Sequence, residues 1–372
     1  MTAPPHETEA AGRAPARARR LLAALGPVLV LVAVILLGGL TQYVKEGEVK
    51  YLLPVNQALI LTQTVMVAVA AVGMTLIIIG GGIDLSVGSV VALTGVAAAW
   101  VVRAMAPDQA AALRGAGAVT VPLAALAAAV AMGAAVGALN GIVITGLRLP
   151  PFIATLGMMA SARGAAKWIG GNMKIDAPMT WLSGLTSGRL KPLAWLDGPL
   201  ARLGVGSAAA RAWVTEAAVS PAVVLALALA LAAAVVLRLT RFGRHLFAIG
   251  SNEATARLCG VAVERTKVLV YTVAGALFGL AGGLLFGYNG VGDPTAAGGL
   301  ELDVIAAVVI GGGSLSGGSG TVLGTIVGAL LMAHLRNWCA LLGLPNYVSD
   351  MIVGAVIVGA VALDRLRHRR AG

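Results

Sequence analysis

Charge is what this sequence of 372 residues has least of: Asp, Glu, Lys and Arg together make up 12%. That is about half the share usual in a soluble globular domain. Aromatic residues supply 4%, with no basic face interleaved among them for base stacking, so nucleic-acid binding is not expected. Two cysteines, Cys259 and Cys339, are too few for a disulfide framework or a thiolate metal site, and they read as small buried or half-buried residues. The four histidines, His6, His245, His334 and His368, have no metal-ligand spacing. No GxxxxGK[ST] loop occurs, so the chain cannot itself be a P-loop ATPase. No Ser/His/Asp or Cys/His set has supporting context. We assign no catalytic residue, no cofactor and no metal.

What is abundant is apolar length. Hydrophobic residues make up 58% and mean hydropathy is +0.90. Whole segments run apolar, which excludes the alternating strands of a transmembrane barrel. The expected fold is all-α: a polytopic transmembrane helical bundle of about ten spans, each of roughly 20 residues. The formal net charge of +11 sits in the N-terminal tail, around 238–267 and at the C-terminus. That is the pattern of membrane orientation, with both termini cytoplasmic.

Taken in order, residues 1–20 read as a disordered tail ending in RARARR, and 21–40 as a retained first span. Further spans are expected at 57–79, to about 103 after the Gly-rich 80–89, at 119–147 and at 152–170. Residues 171–218, the least apolar region, form an extracytoplasmic loop with Trp181, Trp195 and Trp213 as interfacial anchors. The remaining spans are expected at 219–238, 266–288, 301–313, 320–338 and 346–363. A transmembrane domain of 21–364 thus precedes a basic tail, 365–372. Fifty glycines suit close helix packing. GGGIDLSVGSVVAL (80–93) resembles GGGSLSGGSGTVLG (311–324), and LRLPPFI (147–153) resembles LGLPNYV (342–348), which hints at an internal, inverted duplication.

The long polar break lies between spans. From Arg238 to Lys267 it carries Arg238, Arg241, Arg244, Arg257, Arg265 and Lys267 against Glu253 and Glu264 only. One short helix is punctuated inside it. Ser251 or Asn252 can cap it, Glu253 and Arg257 stand four apart in acid-before-base order, and Gly260 can close it in a left-handed turn. Two turns are too few to stand alone in water, so this helix needs a surface to dock on. A cytosolic partner gripping a membrane protein is one reading of it, and an ordinary positive-inside loop is the other.

Five polar residues elsewhere are open to two readings. Asp84 and Ser86 either line a polar pathway, as intramembrane ionisable groups often do, or cap the third span. Glu301 and Asp303 have the same pair of readings at the start of a short span. Asn140 either faces a solute or joins two helices by a hydrogen bond.

Together, GMTLIIIGGGIDLSVGSVVALTG (73–95), LRLPPFIATLGMM (147–159), the 240–267 stretch and ELDVIAAVVIGGGSLSGGSGTVLGTIVGALL (301–331) resemble one family in the expected order. It is the monosaccharide (ribose/xylose/galactose) branch of ABC-importer permeases, and the likeness runs from about 55 to 363. The resemblance implies a coupling loop, 239–265, that docks on a cytoplasmic ATP-binding subunit. Asn252, Glu253, Arg257 and Leu258 would make the contact, and Gly243, Gly250 and Gly260 would shape the backbone. It also implies an extracytoplasmic sugar-binding protein, a second permease copy (identical or closely related) and a place in the bacterial inner membrane. GSN stands where GGN is common, Cys259 where a small polar residue is usual, and Gly313 where Thr is frequent. The poorly matching 171–218 loop leaves the solute open: the rivals are the same machine for a branched-chain amino acid, nucleoside or furanose signal, and a secondary transporter.

Overall fold

A computed structural model describes residues 16–47, 50–106, 115–191 and 218–369. The chain runs α1 (Ala16–Glu46), a 3₁₀ turn (Lys50–Leu52), α2 (Pro54–Ile79), α3 (Val87–Met105), α4 (Gly117–Gly146) and α5 (Pro151–Ile169). After α6 (Trp181–Ser187) come α7 (Pro221–Leu239), α8 (Arg241–Ser251), α9 (Glu253–Leu258) and α10 (Val263–Asn289). The last three are α11 (Leu300–Ile310), α12 (Val322–Leu341) and α13 (Asn346–Arg369). Among the described residues the strands are β1 (Ile175–Asp176) and β2 (Val291–Gly292), a two-residue antiparallel ladder.

Ten of these helices lie where the sequence predicts ten spans, and seven are long and apolar enough to cross a membrane: α1, α2, α3, α4, α7, α10 and α12. The other three differ for identifiable reasons. Arg163 and Lys167 lower the hydropathy of α5, and in α13 the apolar stretch among the described residues is Asn346–Gly359. With 11 residues, α11 is about 16 Å long, half of a bilayer core of about 30 Å. Helix α1 begins at Ala16, inside the stretch read as a disordered tail, and α13 carries the basic residues Arg365, Arg367 and Arg369 to its end. Residues 1–15, the end of the C-terminal tail (370–372) and 192–217, with Trp195 and Trp213, lie outside the described residues. Cys339 is buried as expected, whereas Cys259 is exposed.

Proline opens α2, α5 and α7 at the position where its missing N–H costs nothing. The core forms around α2, buried continuously from Ala68 to Ile79, and around α3. Helix α4 crosses α10 on small residues four apart: Gly133, Gly137 and Gly141 meet Val268, Tyr271, Gly275 and Gly279 backbone to backbone. A Cβ on Gly137 would stand 2.9 Å from the Tyr271 carbonyl carbon and 3.0 Å from the Gly275 Cα. Gly137→Val should therefore force the two helices apart at a cost of about 3 kcal/mol. A lowered thermal midpoint in detergent would check it, with Ala129→Gly on the same seam as a milder comparison.

The two sequence repeats have real local counterparts. Gly82 N–H donates to Ile77 O and Gly81 N–H to Ile78 O; Gly313 N–H donates to Val308 O and Gly312 N–H to Val309 O. Both are left-handed glycine helix ends, with φ +78° at Gly81 and +90° at Gly312. The second pair also matches, since Arg148 (φ +52°) and Gly343 (φ +71°) each stand two residues before the proline that precedes a helix. The two glycine breaks meet at one end of the bundle, whereas 147–150 and 342–345 lie at opposite ends: the first lines a cavity with Glu253, and the second accepts a bond from Lys45 at Leu342 O.

Candidate functional site

The polar break folds as two helices rather than one. Thr240 caps α8 by accepting from Gly243 N–H, and Gly243, Leu246 and Ile249 turn its apolar side inward. A side chain on Gly243 would collide with the Leu237 backbone, which explains glycine at the α7–α8 corner. Of the two cap candidates Asn252 is the one used: its Oδ1 accepts from Thr255 N–H at 2.9 Å. Gly260, at φ +82°, ends α9, with Val261 N–H donating to Ala256 O. The required docking surface is present, as Ala256 packs with Ile249, Val261 and Val263.

Ion pairs hold the outer side of α9. Arg257 Nη2 meets Glu253 Oε1 at 3.3 Å, as the spacing predicts. Two further partners come from α10: Glu264 Oε1 lies 2.5 Å from Arg257 Nη1, and Lys267 Nζ 2.6 Å from Glu253 Oε2. The Glu264 hydrogen bond, foremost, holds the Arg257 guanidinium above its ordinary range. Leu258 is 89% exposed, an apolar knob beside these charges. Between α9, the start of α10 and the α4–α5 turn lies a cavity of about 650 Å³.

The same loop reaches the interior through Gly250. A Cβ there would overlap the Ile79 carbonyl oxygen and stand 2.5 Å from Gly318 N. Gly318 N–H in turn donates to Ile79 O at 2.9 Å. The end of α8 is thus wedged where the break after α2 meets the break before α12.

Asp84 comes just after the first break and is 1% exposed. Its Oδ1 accepts from Ser86 N–H (2.8 Å) and Ser86 Oγ (2.6 Å), and its Oδ2 from Asn140 Nδ2 (3.3 Å). Asn140 also donates to Ser86 Oγ at 3.1 Å. Ser86 itself makes no side-chain cap to α3. The three side chains are buried and join the start of α3 to α4. Thr155, on α5, ties in by accepting from Leu85 N–H at 3.2 Å.

Glu301 and Asp303 part company. Asp303 is buried and gripped by Arg336 of α12 through two 2.9 Å bonds, Nε to Oδ2 and Nη2 to Oδ1; Arg336 Nη1 also reaches Asp350. It caps nothing. Glu301, half-buried in the first turn of α11, has its carboxylate against Gly88, the second residue of α3. Residues 290–299 descend to that point without helix, Gly292 packing on Val96 and Ala99 and Ala297 on Gly88. The drop along α3 is about 12 Å into the bundle. Arg163 of α5 holds the descending strand by donating to Pro294 O (3.0 Å) and Ala296 O (2.7 Å). Beside it, Gly157, Ser161 and Gly164 leave one side of α5 exposed, small and polar.

Residues 56–361 match the family described as branched-chain amino acid transport system / permease component. The chain belongs to this permease family. It is 38% identical over 311 residues to the ribose import permease protein RbsC of Escherichia coli (strain K12), covering 83% of this chain and 85% of that one. It is 35% identical over 345 residues to the ribose import permease protein RbsC of Bacillus subtilis (strain 168), 92% of each chain. The xylose transport system permease protein XylH of Escherichia coli (strain K12) is 32% identical over 361 residues, 86% of this chain and 87% of that one. No solved structure matches. The permease is therefore a transport subunit of an ABC importer, a multi-pass helical membrane protein without catalysis of its own.

Thr155 shapes the permease's site and stays hidden in its sequence, whereas Arg163 and Arg336 leave a signal, since a cation inside a mostly apolar run calls for a partner.

Proposed function

We propose that this permease carries a monosaccharide of the ribose or xylose type, delivered by an extracytoplasmic binding protein and driven by a separate cytoplasmic ATP-binding subunit. The basic end, with both termini, faces the cytoplasm of a bacterial cell, and the chain sits in the inner membrane. Residues 239–265 form the coupling loop. Asn252, Glu253, Arg257 and Leu258 present its contact surface, while Gly243, Gly250 and Gly260 set its path.

The observation that carries this reading is the wedging of Gly250 between Ile79 and Gly318. A push on α9 passes through α8 into two helix breaks at once, and so to the starts of α3 and α12. For the pathway, non-helical backbone at membrane depth is tolerated only inside protein or beside water. The 290–299 descent and the small exposed side of α5 therefore border the sugar path, shared with a second permease copy across it. Glu301 lies on this border. Asp84, Ser86, Asn140 and Asp303 act from within as struts, not as sugar contacts.

The test is uptake by proteoliposomes holding the permease, its ATP-binding subunit and its binding protein. Labelled ribose or xylose should accumulate with ATP inside, and branched-chain amino acids should not. Accumulation without ATP, driven by an ion gradient, would overturn the reading.

A further inference from the structure

Five charged residues line the cavity beside α9: Arg148, Glu253, Arg257, Glu264 and Lys267. Four of them neutralise one another. Glu253 uses both carboxylate oxygens, on Arg257 and Lys267, and Glu264 is committed to Arg257. Arg148 has no ion pair among the described residues, so three cations face two carboxylates and the cavity keeps one positive charge. Its side chain is exposed, and its backbone holds a left-handed φ of +52° that non-glycine residues seldom adopt. Pro150 and Pro151 stiffen the chain just beyond it, so the backbone that carries this side chain is set in advance.

We propose that the turn Leu147–Pro151 is a second docking point for the ATP-binding subunit, one of whose acidic side chains enters the cavity and pairs with Arg148. The inference rests on the coupling reading of α9 and adds a contact from a different part of the chain. Charge complementarity names the occupant, because a carboxylate is what the cavity lacks, and Arg pairs carboxylates in two-bond geometry. Continuity names its source: the far wall is α9 itself, whose Leu258 offers an apolar knob to the same partner. The turn also leads directly into α5. Thr155, one turn in, holds Leu85 beside Asp84. A partner gripping both α9 and the turn would therefore move α5, with its sugar-path side, in step with the glycine breaks.

Binding of the purified ATP-binding subunit to the permease in nanodiscs of phosphatidylcholine alone tests this. The variants are Arg148→Glu, Arg148→Lys and Leu258→Asp, each first checked for an unchanged elution profile. Arg148→Glu should weaken binding about tenfold at low salt, with most of the difference gone at high salt. Arg148→Lys should recover most of it. Wild-type binding by Arg148→Glu, with Leu258→Asp impaired, would overturn the second docking point and leave the coupling loop standing. Wild-type binding by both variants would overturn the coupling reading as well. An Arg148→Glu defect seen only when anionic lipid is added to the disc would assign Arg148 to a lipid headgroup and also overturn the proposal.

Discussion

Ala256→Pro should all but abolish ATP-driven sugar uptake while leaving the membrane bundle folded. Ala256 N–H donates to Asn252 O at 3.0 Å, the bond that closes the first turn of α9, and its side chain is buried against Ile249 and Val263. Proline removes that bond and clashes with the preceding turn, a cost of about 3 kcal/mol. A six-residue helix has no reserve to absorb it. At 1.4 kcal/mol per factor of ten, the docked helix should fall by roughly a hundredfold in population. Ala254→Pro is the matched control: in the first turn its N–H is not needed by the helix, so uptake should stay near wild type. Proteoliposome uptake, with size-exclusion elution as the folding check, measures both. Wild-type transport by Ala256→Pro would mean that α9 does not transmit force.

Arg336→Leu should be among the most destabilising single substitutions in the chain. It would leave Asp303, 6% exposed, as an uncompensated charge between α11 and α12. Removing one partner of a buried pair costs about 3–5 kcal/mol, and the partial exposure of Arg336 places the expected value near the lower figure. The damage should be reversible by chemistry. Arg336→Leu combined with Asp303→Leu removes both charges, and such replacements are often neutral. A double-mutant cycle on thermal stability in detergent should therefore show strong coupling, with the double variant more stable than Arg336→Leu. Additive losses would show that the two side chains act independently.

These two sites also mark what the sequence makes legible. The helix of Glu253–Leu258 can be read because its signals are local: a capping Asn252, charges four apart, and Gly260 just past the end. Its partners Glu264 and Lys267 are hidden because they belong to the next helix and approach only once α10 turns back. Helix α8 escapes a sequence reading since Gly243 and Gly250 look like loop residues, although close approach to Leu237 and Ile79 is their actual purpose. Asp303 and Arg336 stand 33 residues apart, and no periodicity links them. The run 301–313 resembles a whole span because hydropathy counts apolar length without seeing that 290–299 has already carried the chain halfway in. Asp84 is ambiguous for a related reason: a carboxylate after three glycines fits a pathway or a cap, and its bond to Asn140 forms only where α3 meets α4.

The most direct test is to purify the permease with its ATP-binding subunit and measure the ATPase rate as sugar-loaded binding protein is added. One co-eluting complex is expected, stimulated by a binding protein carrying ribose or xylose, with Ala256→Pro abolishing the stimulation. A folded permease that forms no complex with any candidate ATP-binding subunit, or stimulation unaffected by Ala256→Pro, would contradict transport driven through α9.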